Sequence, residues 1–146
     1  MKWINRVLFF ILSTCLLSAC EVNNSVSIID QWARATAPGQ QVGAAYLTLI
    51  SAQNSTLVRV ETPLASSVEI HSMTMENDVM KMRMLPELSL QAGKAEKLAP
   101  GGFHLMLFDL KKPLALGQQV DLTLSFKDNA GKITQQTVTF PIKEAE

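Results

Sequence analysis

The chain has 146 residues, with 13 basic and 13 acidic side chains, two histidines and two cysteines. That length suits one domain with its own core, and the even charge, with no basic stripe, argues against a nucleic-acid partner. Both cysteines, Cys15 and Cys20, fall in the first twenty residues, so the rest of the chain excludes cysteine nucleophiles, CxxC redox chemistry and thiolate metal sites.

Residues 1–19 read as an export signal. Lys2 and Arg6 give a basic start, and Val7 to Leu17 is an apolar run too short to span a bilayer comfortably. The run closes on Leu17-Ser18-Ala19-Cys20, which resembles the lipobox of bacterial lipoproteins, whose cysteine becomes the lipidated first residue. Cys20 is therefore the expected lipidation site, anchoring the protein on the periplasmic face of a bacterial membrane. Glu21, rather than Asp, follows it, and the rule for such proteins then favours the outer membrane. Residues 20–27 read as lipidated cysteine and polar tether, and 28–146 as the folded domain.

Beyond the tether the pattern is that of strands. Gly43 to Ile50, Leu57 to Glu61 and Ser67 to His71 are short β-prone runs separated by Ser, Asn, Thr and Pro. Val79 to Leu85 alternates methionines with Lys81 and Arg83, and Phe103 to Leu110 follows the turn Pro100-Gly101-Gly102. Val120 to Phe126 alternates strictly, the mark of a strand with one buried face. Residues 127–132 form a turn, and Ile133 to Ile142 returns as the second arm of a hairpin. No long window carries a helical period. The expected fold class is all-β, an antiparallel sandwich or Greek-key barrel.

Five of the seven methionines lie between positions 73 and 84, beside His71. In a strand over 103–107, His104 and Met106 share one face while Phe103, Leu105 and Leu107 fill the other. An imidazole beside a thioether is a soft-metal half-site. The other half would come from His71 and from a methionine of Val79 to Met84, where Met80, Met82 and Met84 share a face. Thioethers favour Cu(I), whereas zinc sites recruit Cys, His or carboxylates, and blue-copper centres need a thiolate that this domain lacks. These residues therefore point to a site that binds copper without tuned redox cycling.

His71, Met82, His104 and Met106 stand in the pattern H-x10-M-x21-H-x-M. This spacing resembles the signature of the periplasmic copper chaperone family PCuAC. Trp32-Ala33-Arg34-Ala35-Thr36 with Pro38-Gly39, Gly43 to Leu47, and Leu98 to Leu107 are also similar to segments of that family. The resemblance implies a cupredoxin-like β-barrel holding one Cu(I) through His71, Met82, His104 and Met106. It implies delivery of that copper towards the CuA subunit of cytochrome c oxidase, or exchange with a Sco-type protein. The domain is expected to be a monomer. Relatives with a His- and Met-rich C-terminal extension are linked to a second copper as Cu(II). No such extension follows Pro141 to Glu146, so that role is not expected.

Two other readings compete with delivery. A copper-sequestering or tolerance lipoprotein would use the same residues, and a metal-free structural sandwich would use the methionines as filler. No serine–histidine–carboxylate set or paired acids are legible, so an enzyme is not expected. Met73, Met75, Met80 and Met84 read as an apolar rim or as spare donors.

Overall fold

The computed structural model describes residues 25–144. The signal segment and Cys20 lie outside these residues. Ten strands and no helix are found among them: β1 (Val26–Arg34), β2 (Gly43–Ser51), β3 (Ser55–Glu61), β4 (Ser67–Glu76), β5 (Val79–Leu85), β6 (Leu88–Leu90), β7 (Ala95–Leu98), β8 (His104–Phe108), β9 (Gln119–Asp128) and β10 (Ile133–Lys143). β1 opens inside the segment read as tether, because Val26 already packs into the core. The short strands β6 and β7, and β1 itself, lacked the long alternating runs that marked the others.

The strands follow the order β5-β4-β8-β2-β1-β10-β9-β3-β6, with β7 paired to β2 beside this path. The one parallel contact along it joins β1 to β10 through Ala33 and Ile142, so the first and last strands link two antiparallel halves. The chain crosses between halves from β2 to β3 and again from β3 to β4. This is the connectivity of a sandwich rather than a meander.

Period-2 alternation builds the core. Val120, Leu122, Leu124 and Phe126 of β9 point inward, as do Ala45, Leu47 and Leu49 of β2 and Leu105 and Leu107 of β8. Each fully buried Leu or Phe contributes roughly 1.5–3 kcal/mol of apolar burial. β10 returns from β9 around Asp128, whose carboxylate accepts from the amides of Ala130 and Lys132, both at 2.9 Å. Close packing extends to Gly43, opposite Leu107, where an added Cβ would lie 2.9 Å from a methyl of Leu114.

Two turns decide where the functional side chains sit. Ala99-Pro100-Gly101-Gly102 closes with the Gly102 amide donating to the Ala99 carbonyl at 3.0 Å, and Gly101 has φ +84°. Pro at the second position and a positive-φ Gly at the third are the requirements of a type II turn. It delivers the chain into β8 with His104 as the first strand residue. The second turn is Asn77-Asp78, with φ of 51° and 61°. Positive φ at both central residues defines a two-residue type I′ hairpin, and Asn and Asp tolerate that conformation best after Gly. It continues β4 five residues past His71, where the sequence reading had ended that strand.

Candidate metal centre

β8 pairs antiparallel with β4, and β4 with β5, so the pairing itself lays out a common face. Across β4 and β8, Glu69 lies opposite Met106 and His71 opposite His104. Across β4 and β5, His71 lies opposite Met84, Met73 opposite Met82, and Met75 opposite Met80. Opposed residues of antiparallel strands project from the same side. Leu105 and Leu107 go to the core, so His104, Met106, Glu69, His71 and the five hairpin methionines all stand on the outer face of this half. His104 and Met106 share a face, and Met80, Met82 and Met84 share one, as the alternation alone requires; the register adds that the two faces are the same.

The two histidines are held differently from ordinary surface residues. His104 is buried, at 5% exposure, and the His71 side chain is 12% exposed. Their ring centroids are 5.8 Å apart, and the Phe108 ring lies 6.0 Å from that of His71. His104 Nδ1 lies 2.9 Å from the Gly102 carbonyl oxygen. A carbonyl can only accept, so Nδ1 carries the proton and Nε2 keeps its lone pair. The same carbonyl also accepts from the Met73 amide at 3.2 Å, which ties the turn, β4 and the imidazole together.

His71 is oriented in the opposite sense. Its Nε2 lies 2.8 Å from Oε2 of Glu69, two residues earlier on the same strand face. A carboxylate accepts, so Nε2 holds the proton and Nδ1 is the free donor atom. His71 Nδ1 is also the one buried side-chain nitrogen or oxygen lacking a hydrogen-bond partner among the described residues. An unpaired buried polar atom costs about 1–3 kcal/mol, and a ligand is one of the few reasons to keep one. Glu69 was not picked out by the sequence reading. The signal was present as the alternation Glu69-x-His71, which puts a carboxylate beside an imidazole in any strand.

The methionines differ in how closely they approach this pair. Met106 is half-buried, next to Glu69. Met84 stands directly opposite His71, and Met82 is its diagonal neighbour, about 7–8 Å away by strand geometry and within reach of a long side chain. Both are exposed, at 58% and 47%. Lys81 and Arg83 point to the other side of the hairpin, where both pair with Glu76 at 2.7 and 2.8 Å. No cationic head therefore stands on the methionine face at these positions, and the carboxylate of Glu69 gives that face a negative centre.

No group of three or more His, Cys, Asp or Glu side chains fit to hold a metal ion occurs among the described residues. The donor set is one of imidazoles and thioethers, which suits a soft monovalent ion better than zinc or calcium. Farther along the same half, Trp32 stacks on Tyr46 with ring centroids 4.6 Å apart, a packing contact between β1 and β2.

An all-β sandwich with a His/Met face on its β4–β5–β8 edge defines a cupredoxin-like domain of the PCuAC type, and the comparisons agree. In fold, the chain is similar to the apo PCuAC domain from PmoF1, at 24% identity and TM-score 0.65, covering 82% of this chain and 94% of that one. It is also similar to the Cu(I) form of DR1885 from Deinococcus radiodurans, at 32% identity and TM-score 0.62, covering 80% of this chain and 78% of that one. The family model described as "Putative lipoprotein LpqE-like" matches residues 26–142. The chain belongs to this LpqE-like, PCuAC-type family. Over 122 residues it is 28% identical to the "Putative lipoprotein Lxx21020" of Leifsonia xyli subsp. xyli, covering 83% of this chain and 71% of that one. No helix among the described residues is long and apolar enough to cross a membrane.

Proposed function

We propose that this protein is an extracytoplasmic Cu(I) carrier that binds its cargo through His71 Nδ1, His104 Nε2, Met106 and Met82. The observation that carries the reading is the pair of complementary tautomers. Glu69 occupies one nitrogen of His71 and the Gly102 carbonyl occupies one nitrogen of His104, leaving one lone pair on each ring. The unpartnered state of His71 Nδ1 supports the same reading. The solved relative DR1885, whose structure is described as the CuI form, lends the ion its identity.

The chemistry is ligand exchange. Neutral imidazoles and thioethers leave Cu(I) weakly held compared with a thiolate site, so transfer to a cysteine-bearing acceptor runs downhill. Thioethers also escape the disulfide formation that disables thiols in an oxidising compartment. The exposed methionines of β5 give an acceptor's ligand an approach before the histidines let go. The acceptor is the CuA subunit of cytochrome c oxidase or a Sco-type protein, and lipid on Cys20 holds the carrier at the membrane, with Glu21 favouring the outer one.

Anaerobic Cu(I) titration against a competing chelator tests the site. The parent should outcompete the chelator, while His104→Ala and Met106→Ala should not. Equal affinity in all three would overturn the ligand assignment. Mixing the Cu(I)-loaded protein with an apo CuA domain then tests delivery, and copper that stays on the carrier would point to sequestration.

A further inference from the structure

The proposed Cu(I) site leaves four of the hairpin's five methionines unused, and three of them, Met73, Met75 and Met80, lie towards its tip. Met75 lies opposite Met80, and Met73, two residues back on β4, lies opposite Met82. All stand on one face, because Thr74, Glu76 and Lys81 take the alternate positions. This part of the hairpin extends past the end of β8, which accompanies β4 only as far as His71 and His104. Met75 and Met80 are accordingly 63% and 46% exposed. They fill no core.

Packing does not account for these side chains, and neither does strand propensity. Exposed strand positions favour β-branched, aromatic or polar residues, whereas methionine loses much rotamer freedom when ordered. What a thioether offers that those residues lack is a neutral, soft donor on a flexible stem. Opposed strand positions place Cβ atoms about 4.5–5.5 Å apart, and alternate positions on one strand are separated by about 6.6 Å. Three rotatable bonds per side chain let three such sulfurs converge. The hairpin's cations are held on its other face by Glu76, so they do not repel an ion here.

We propose that Met73, Met75 and Met80 form a second, sulfur-only site for a soft monovalent ion, Cu(I) or Ag(I), at the tip of the β4–β5 hairpin. It goes beyond the His/Met site and shares with it only the preference for soft ions. Lacking an anchored imidazole, it fills second and releases first. Met82, opposite Met73 and diagonal to His71, is the step between the two sites.

The test is anaerobic titration of the full chain with Ag(I) and with Cu(I). Stoichiometry comes from native mass spectrometry, and site occupancy from the methionine methyl resonances. The parent should take two ions, the second moving the Met75 and Met80 methyl signals. The double variant Met75→Leu/Met80→Leu, conservative at exposed positions, should lose the second ion by at least about tenfold in affinity and keep the first within about twofold. His71→Ala/His104→Ala should lose the tight ion and keep the weak one. A parent that takes one ion with the Met75 and Met80 signals unmoved overturns the second site and leaves the carrier reading intact. Retention of both ions by the Met75→Leu/Met80→Leu variant also overturns it. A parent that binds no soft ion overturns both readings.

Discussion

β8 presents its donors from a strand flanked on both sides within its sheet, whereas β5 presents them from an overhanging edge. His104 is buried, flanked by Leu105 in the core, and its ring is fixed by a carbonyl that also binds β4. The methionines of β5 have one strand neighbour and little cover, and each side chain has three rotatable bonds. β4 joins the two, with His71 on the firm side and Met73 and Met75 on the open side. A carrier needs both qualities. Fixed imidazoles set affinity by avoiding the cost of ordering on binding, and loose thioethers let a ligand be exchanged without unfolding the site.

The firm side should dominate affinity. His104→Ala is expected to weaken Cu(I) binding by more than about 100-fold, above the range found when only an outer partner of a ligand is lost. Chelator competition measures it. A smaller loss than that of any β5 methionine variant would break the contrast between the two walls.

Next in size is the carboxylate that orients His71. Glu69→Ala removes the acceptor at Nε2 and frees the ring to change tautomer, and the expected loss is about 10- to 100-fold in Cu(I) affinity. Nitrogen NMR of the apo protein gives the reading that a merely structural role would not move. His71 should be protonated at Nε2 in the parent and mixed in the variant. An unchanged tautomer would leave Glu69 without a positioning role.

The open side is sharpened by comparing Met82→Leu with Met84→Leu. Strand pairing puts Met84 directly across from His71, while the family spacing selects its diagonal neighbour Met82. If Met82 is the ligand, its variant loses about tenfold in affinity and the Met84 variant stays within about twofold. The reverse order would move the ligand to Met84.

Much of this site was legible as alternation. His104-x-Met106 within an apolar run and Met80-x-Met82-x-Met84 each state a face, because a strand has a period of two. Pairing is a long-range property, and it was not legible from either segment. That His71 meets His104, and that Glu69 meets Met106, depends on the β4–β8 register. Ser72 to Glu76 mixes polar residues with methionines, so the β-prone run of β4 is legible only as far as His71 although the strand continues to Glu76. The missed signal was Asn77-Asp78, two residues suited to a type I′ turn between two runs of alternating methionines. β6 and β7, at three and four residues, are too short for any pattern to be resolved.

That turn supports the smallest prediction. A slip of one residue in the β4–β5 pairing would carry all three β5 methionines to the Lys81 and Arg83 side, so the register is as much a part of the site as its donors. Asp78 holds a φ of 61°, a conformation that costs L-residues roughly 1–2 kcal/mol and Asp rather less. Asp78→Gly removes that cost and retains the Asn-Gly preference of such turns, so it should stabilise the hairpin by under about 1 kcal/mol. Amide exchange of β5 should slow while Cu(I) affinity stays within about twofold, since the donors of the firm side are untouched. Weaker copper binding with a steadier hairpin would mean that the open wall works by moving, and the division between a fixed half and a loose half would then describe function as well as structure.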